Sequence, residues 1–162
     1  MSSLLFKELA KNFTFLPEEI QFYNQNELSL HYGVKLPESY FAFLNSFGAG
    51  TLGGFFQFHP PGHMNTHRER LEPFMDDELS EMVDENDSGD ILIFATTDNG
   101  DMLGWKLEEM KLNIEPKIFE IPTRTFDVNE IANNVGDLIS GLIENPPNHL
   151  LNMKLTHLKR CS

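Results

Sequence analysis

The chain has 162 residues, 40% of them hydrophobic and 11% aromatic, with 14 phenylalanines; that is the length of one domain with its own core, and it excludes a disordered chain, which would be poor in aromatics. Against 25 acids stand only 12 bases, for a formal net charge of -13. Such a surface repels nucleic-acid phosphates and anionic membranes and attracts basic surfaces and cations, so neither nucleic acid nor membrane is expected as a partner.

A lone cysteine, Cys161, rules out an internal disulfide and any CxxC zinc or redox motif, and it suits a reducing compartment. Residues 1–12 hold short apolar runs without a continuous signal-peptide core or a small-residue cleavage site. No apolar stretch approaches the ~20 residues of a membrane helix. A cytoplasmic location is therefore expected.

In chain order, Leu5, Leu9 and Phe13 recur every four residues, which predicts a short helix over 4–13 with Ser2 or Ser3 as its cap. Pro17 breaks it. Residues 17–30 mix acids with Ile20, Tyr23 and Leu30 at helical spacing and stop near Gly33, as helices often do at glycine. A clearer helix starts at Leu36-Pro37, where the missing proline N–H costs nothing. Tyr40, Phe43, Leu44 and Phe47 form its apolar face, Phe41 widens it, and Gly48-Ala49-Gly50 ends it. Residues 52–59 read as an aromatic-rich strand, with Gly53-Gly54 suggesting a bulge. Pro60-Pro61-Gly62 stops that strand.

The next segment, 65–90, is polar and acid-rich. Leu71, Met75, Leu79, Met82 and Val83 lie near one helical face, predicting one or two exposed helices interrupted near Pro73. Residues 91–96 are a β-rich strand. Asp98-Asn99-Gly100-Asp101 then signals a tight hairpin turn, because Asn-Gly tolerates positive φ. Residues 102–107 return with Leu103, Trp105 and Leu107 on one face, and 117–121 form another strand around Ile118 and Phe119. A long helix is predicted over 126–144, with Asp127 as cap, Glu130 completing a capping box and Phe126 stapled to Ile131. Its stripe is Ile131, Val135, Leu138, Ile139 and Leu142, and Pro146-Pro147 ends it. The tail, 148–162, carries Lys154, Lys159 and Arg160 and no acid; Leu151, Leu155 and Leu158 give it the pattern of a short basic helix. No repeat or linker divides the chain, so residues 1–162 read as one domain. Its order of elements predicts an α+β fold, a small and mostly antiparallel sheet with helices packed on it.

Three of these segments together resemble the SMI1/KNR4, or SUKH, superfamily. The first is Leu36-Pro37-Glu38-Ser39-Tyr40 with Phe43-Leu44 and the glycines Gly48 and Gly50. The second is Ile91-Leu92-Ile93-Phe94-Ala95, then Asp98, Gly100, Asp101, Leu103 and Trp105. The third is the helix Phe126–Leu142. They occur in the family's order over residues 36–143. The acidic insert 65–90 and the basic tail have no counterpart in that pattern. The resemblance implies a SUKH-like fold and a binding protein. Bacterial members are largely immunity proteins that neutralise toxin domains, many of them nucleases or nucleic-acid deaminases. Fungal members act in cell-wall regulation.

Weighed as chemistry, the residues offer little to an enzyme. No Gly-x-Ser-x-Gly elbow and no phosphate-binding loop are present. Asp98 and Asp101 fit turn chemistry, with a carboxylate capping backbone N–H groups, or else an acid pair without a basic partner nearby. His59, His63 and His67 recur every four residues, as a metal face would, yet Pro60-Pro61-Gly62 interrupts any helix through them. No catalytic residue, metal or cofactor is assigned, and a metal-dependent hydrolase using Asp and His is the weakest reading. Between Glu69 and Asp90 run ten acids with Arg70 as the one base. That density is either a solubilising surface or a field that steers a basic partner, a toxin's nucleic-acid groove above all. The partner-binding candidates are Asp76, Asp77, Glu78, Glu81, Asp84 and Glu85, with Phe55 as an aromatic anchor or else a core residue. The motif residues Pro37, Gly48, Gly50, Asp98, Gly100, Asp101 and Trp105 are expected to hold the fold. The expected function is an immunity protein that docks a basic toxin domain; the alternative is a regulatory scaffold without a toxin.

Overall fold

The computed structural model describes residues 28–47, 49–52, 56–85, 89–112, 115–144 and 158–160. The helix expected over 4–13, most of that over 17–30, Gly48 and Phe55 lie outside them. Helix α1, Ser29–Tyr32, closes at Gly33, whose φ of +65° suits a helix stop. Helix α2 is Glu38–Phe47, with the buried Pro37 just ahead of it accepting from the Phe41 N–H at 2.9 Å.

Strands β1 (Gly50–Leu52) and β2 (Phe56–Phe58) replace the one strand expected over 52–59. Leu52 stands opposite Phe56, so the two runs are antiparallel neighbours. After a 3-10 turn at Pro61–His63 come β3 (Asn65–Thr66), α3 (His67–Leu71), a second 3-10 turn at Glu72–Phe74 and α4 (Asp77–Glu85). Then follow β4 (Ile91–Thr97), β5 (Met102–Lys106), α5 (Leu107–Leu112), β6 (Ile118–Ile121), β7 (Asn129–Ala132), α6 (Val135–Glu144) and β8 (Leu158–Arg160).

The fold is α+β. Among the described residues the sheet runs β7-β6-β5-β4-β2-β1-β8, with β3 also on β4. Every pairing is antiparallel. Strands β2 and β3 share one side of β4: β2 faces residues 95–97 and β3 faces Ile93 and Leu92. Between them the His59 N–H donates to the Phe94 carbonyl at 2.8 Å. Phe94 is also where the β4–β5 register slips by one. The bulge puts Phe94 and Ala95 in the same core, and Tyr40 repairs the local hydrogen bonding. Its hydroxyl donates to the carbonyls of His59 at 2.6 Å and Phe94 at 3.3 Å.

Each face of the central strands has its own core. On the first face Tyr40, Phe43 and Leu44 of α2 and Val135 and Ile139 of α6 cover Phe58, Leu92, Phe94, Leu103 and Trp105. The rings interlock there: Phe94 stacks on Trp105 at 4.2 Å, and Tyr40 meets Trp105 edge-on at 5.3 Å. Burying each such ring stabilises by roughly 1.5–3 kcal/mol. On the second face Val83 of α4 joins Ile91, Ile93, Met102, Ile121 and Phe126, with Leu79 and Met82 partly buried beside them.

Five further sequence expectations are corrected. The helix expected over 126–144 begins only at Val135, because residues 129–132 pair with β6 as β7. The apparent capping box at Asp127 and Glu130 is not used. Asn134 is the cap: its Oδ1 accepts from the Asp137 N–H at 2.8 Å, and Ser39 Oγ of α2 accepts from the Val135 N–H at 3.2 Å. Phe126 is not stapled to Ile131, which is exposed. It sits buried in the second core at φ +58°, held by its N–H to the Pro122 carbonyl at 2.7 Å. Leu107 opens α5 rather than closing β5, although its side chain still reaches the first core. In the tail, 158–160 pair with β1 as a strand where a helix was expected; the rest of the tail is outside the described residues.

Candidate protein-docking face

The acidic segment is built from caps. Thr66 caps α3 by accepting from the Glu69 N–H at 3.2 Å, and Glu69 Oε1 accepts in return from the Thr66 N–H. The same carboxylate accepts from the Tyr32 hydroxyl at 2.9 Å, which ties α1 to α3. That bond and burial push Tyr32 up to about 12, burial contributing most. Pro73 then tightens the chain into the 3-10 turn, where the Met75 N–H donates to the Glu72 carbonyl. Asp76 starts α4 at once, its Oδ1 accepting from the Leu79 N–H at 2.7 Å.

Helical spacing sets what α4 shows to solvent. Leu79, Met82 and Val83 turn toward the sheet, which leaves Asp77, Glu78, Glu81, Asp84 and Glu85 exposed. Ser80 and four of these acids line one shallow, open depression. A second groove shares Asp84 and continues past Arg68 and Asp90 to Lys111 of α5. Arg68 clamps the end of α4 to the start of β4, 3.1 Å from Asp84 and 3.8 Å from Asp90.

The six acidic candidates therefore divide. Asp76 is a helix cap and Asp84 shares an arginine. Asp77, Glu78, Glu81 and Glu85 form the outward row. Asp77 and Glu78 favour the helix, since they stand in its first turn. Glu81 and Glu85 do not: they repel at i,i+4, and α4 has no base in its last turn.

One known family matches most of the chain. The model of the SMI1 / KNR4 family (SUKH-1) matches residues 17–141. The chain belongs to this family. Its members are typically binding proteins, immunity proteins among them. The match starts ahead of the segment 36–143 that carries the resemblance, and it ends before β8. No curated protein and no solved structure matches the chain.

In this SUKH domain the described motif residues fall in the core, at a strand start and in the β4–β5 turn. Trp105 is fully buried in the first core. Gly50 opens β1. At the β4–β5 turn the Gly100 N–H donates to the Thr97 carbonyl at 2.9 Å, and Gly100 adopts φ +86°. The Asp101 carboxylate accepts from the Thr123 N–H at 3.2 Å, docking the turn onto the β6–β7 loop. Asp98 is exposed at the turn. Glu120 is raised above the usual carboxylate range by burial and then by Asp101.

The three histidines go separate ways. His67 Nδ1 accepts from the Ile91 N–H at 3.3 Å, and His63 is exposed. His59 is buried beside Thr96, 3.3 Å from its hydroxyl, and burial, Arg70 and His63 lower it to about 4. Among the described residues no three metal-binding side chains converge, and no helix is long and apolar enough to cross a membrane.

One exposed group escaped the sequence reading. Phe74 is 73% exposed and Met75 38%. Both stand where the chain turns into α4. The available signal was Pro73 just ahead of them and the cap Asp76 just after, which leave no helical turn to rotate Phe74 inward.

Proposed function

We propose that this SUKH protein is a cytoplasmic immunity protein, one domain without catalysis of its own, that docks a basic toxin domain of nuclease type through α4 and covers its substrate groove. The observation that carries the reading is the outward row Asp77, Glu78, Glu81 and Glu85 on a helix whose inner side is anchored to the sheet. Like charges at i,i+4 along the row cost the helix about 0.2–0.5 kcal/mol per pair. A carboxylate row on a rigid base matches the demands of a phosphate-binding groove, whose arginines and lysines pair with either anion. Its field raises encounter rates with a positive partner by about 10–1,000-fold.

The test is co-expression. The gene directly upstream should encode a long protein ending in a toxin domain. This chain should bind that domain one to one and abolish its toxicity. A toxin domain left active in the presence of the chain contradicts the reading, and so does a neighbourhood without one.

A further inference from the structure

We propose that Phe74, with Met75 beside it, is the aromatic anchor of the α4 face, so that the basic partner carries an apolar pocket next to its positive charge. The inference rests on the docking reading above and adds to it what the partner's surface must contain.

Every other phenylalanine with a described side chain is buried or partly buried: Phe41, Phe43, Phe56, Phe58, Phe94, Phe119 and Phe126. Phe74 alone among them is exposed, at 73%. A single exposed apolar side chain is ordinary on a protein surface. This one differs in how it is held and in what surrounds it. Pro73 fixes the backbone just before it, the Met75 N–H closes the turn onto Glu72, and Asp76 caps α4 two residues later. Leu71 before the turn and Leu79 after it both pack on the second core. Turning Phe74 inward would break the turn or the cap. A ring held on such a support has little freedom left to lose on binding, which is what favours an aromatic as an interface anchor.

Charge complementarity identifies the occupant. From Asp76 to Glu85 the chain carries six acids and no base. An anionic surface is repelled there. A purely apolar surface would strip water from the carboxylates and leave them unpaired, at a cost of several kcal/mol per ion in a fully buried case. A positive surface with an apolar recess satisfies both groups at once. The two parts then do different work: carboxylates speed association, and the ring slows dissociation.

The test uses the full-length protein and two fluorescent peptides of equal length and charge, one alternating arginine with tryptophan, the other arginine with serine. At low salt the wild type is expected to bind the tryptophan peptide about thirtyfold more tightly, the lower end for an interface hot spot. Phe74→Ala should erase that preference and leave the serine peptide's affinity unchanged, with an unaltered melting temperature. Glu78→Lys with Glu81→Lys should weaken both peptides. A preference that survives Phe74→Ala overturns the anchor, as does equal affinity of the wild type for the two peptides. Failure of both peptides to bind overturns the docking reading beneath it. Self-association that Phe74→Ala abolishes would make a second copy the occupant and overturn the basic partner.

Discussion

On one face of the central strands, Trp105, Phe94 and Phe58 interlock with Tyr40 of α2 under the cover of α2 and α6. On the other, Ile91, Ile93 and Met102 lie beneath α4, whose outer side is carboxylate after carboxylate. The first face spends nearly all of its side chains on packing. The second is covered by fewer apolar side chains, from the nine-residue α4 that presents charge to solvent, from Leu71 of α3 and from Phe126 and Val128. Stability is therefore concentrated on the first face, and the helix on the second is the one proposed to serve recognition.

The largest effect that would sharpen this contrast is expected from Trp105→Ala. It should cost about 3–5 kcal/mol, the range for emptying a large aromatic site, read as a lower urea midpoint at unchanged slope. Gly104→Ala tests the join between the faces. A Cβ there would strike the Leu92 carbonyl and come within 2.8 Å of Ile91 Cγ2. Overpacking against backbone should cost about 3 kcal/mol. Val83→Ala on the second face should cost less, about 1–3 kcal/mol. Equal losses for Val83 and Trp105 would break the comparison.

His59 gives a pH reading of the second face, because its partner Thr96 stands opposite Met102, which points to that side. Its pKa falls from 6.5 unfolded to about 4 folded. The unfolded chain thus takes up the proton first. The stability that His59 contributes as a neutral ring is fully present above pH 6.5 and is lost as pH falls through 4. A shift of that size is worth on the order of 3 kcal/mol. His59→Gln should flatten the stability profile over that window relative to wild type. A variant with the same acid slope as wild type would place the titrating group elsewhere.

The smallest expected effect on stability is the most telling for function. Glu81→Lys with Glu85→Lys removes like-charge repulsion and places a base at the end of α4. Folding stability should change by no more than about 0.5 kcal/mol, upward, measured by denaturant unfolding. A large loss would show that these acids hold the fold together.

Much of this was legible in the sequence, for identifiable reasons. The apolar spacing of Tyr40, Phe43 and Leu44, the Asn99-Gly100 turn and the inward stripe Leu79, Met82 and Val83 are local patterns, and the local pattern prevailed. The misreadings arose where a distant partner decided. Asp127 and Glu130 spell a capping box, yet pairing with β6 draws the following residues into β7. The true N-terminus of α6 is completed by Ser39, 96 residues earlier in the chain. Leu52 and Phe56 read as one strand because nothing local says that they face each other. At the candidate site the outward acids could be read from helix periodicity, whereas the exposure of Phe74 depends on a turn that only the folded chain defines.

The most direct measurement is the association rate of this protein with the basic toxin domain proposed as its partner, followed against salt. Between 0.01 and 0.15 M the screening length falls from ~30 to ~8 Å. The wild-type rate is expected to drop at least about tenfold over that range, and the rate for Glu81→Lys with Glu85→Lys should start low and stay nearly flat. Parallel salt curves for the two proteins would contradict α4 as the docking face.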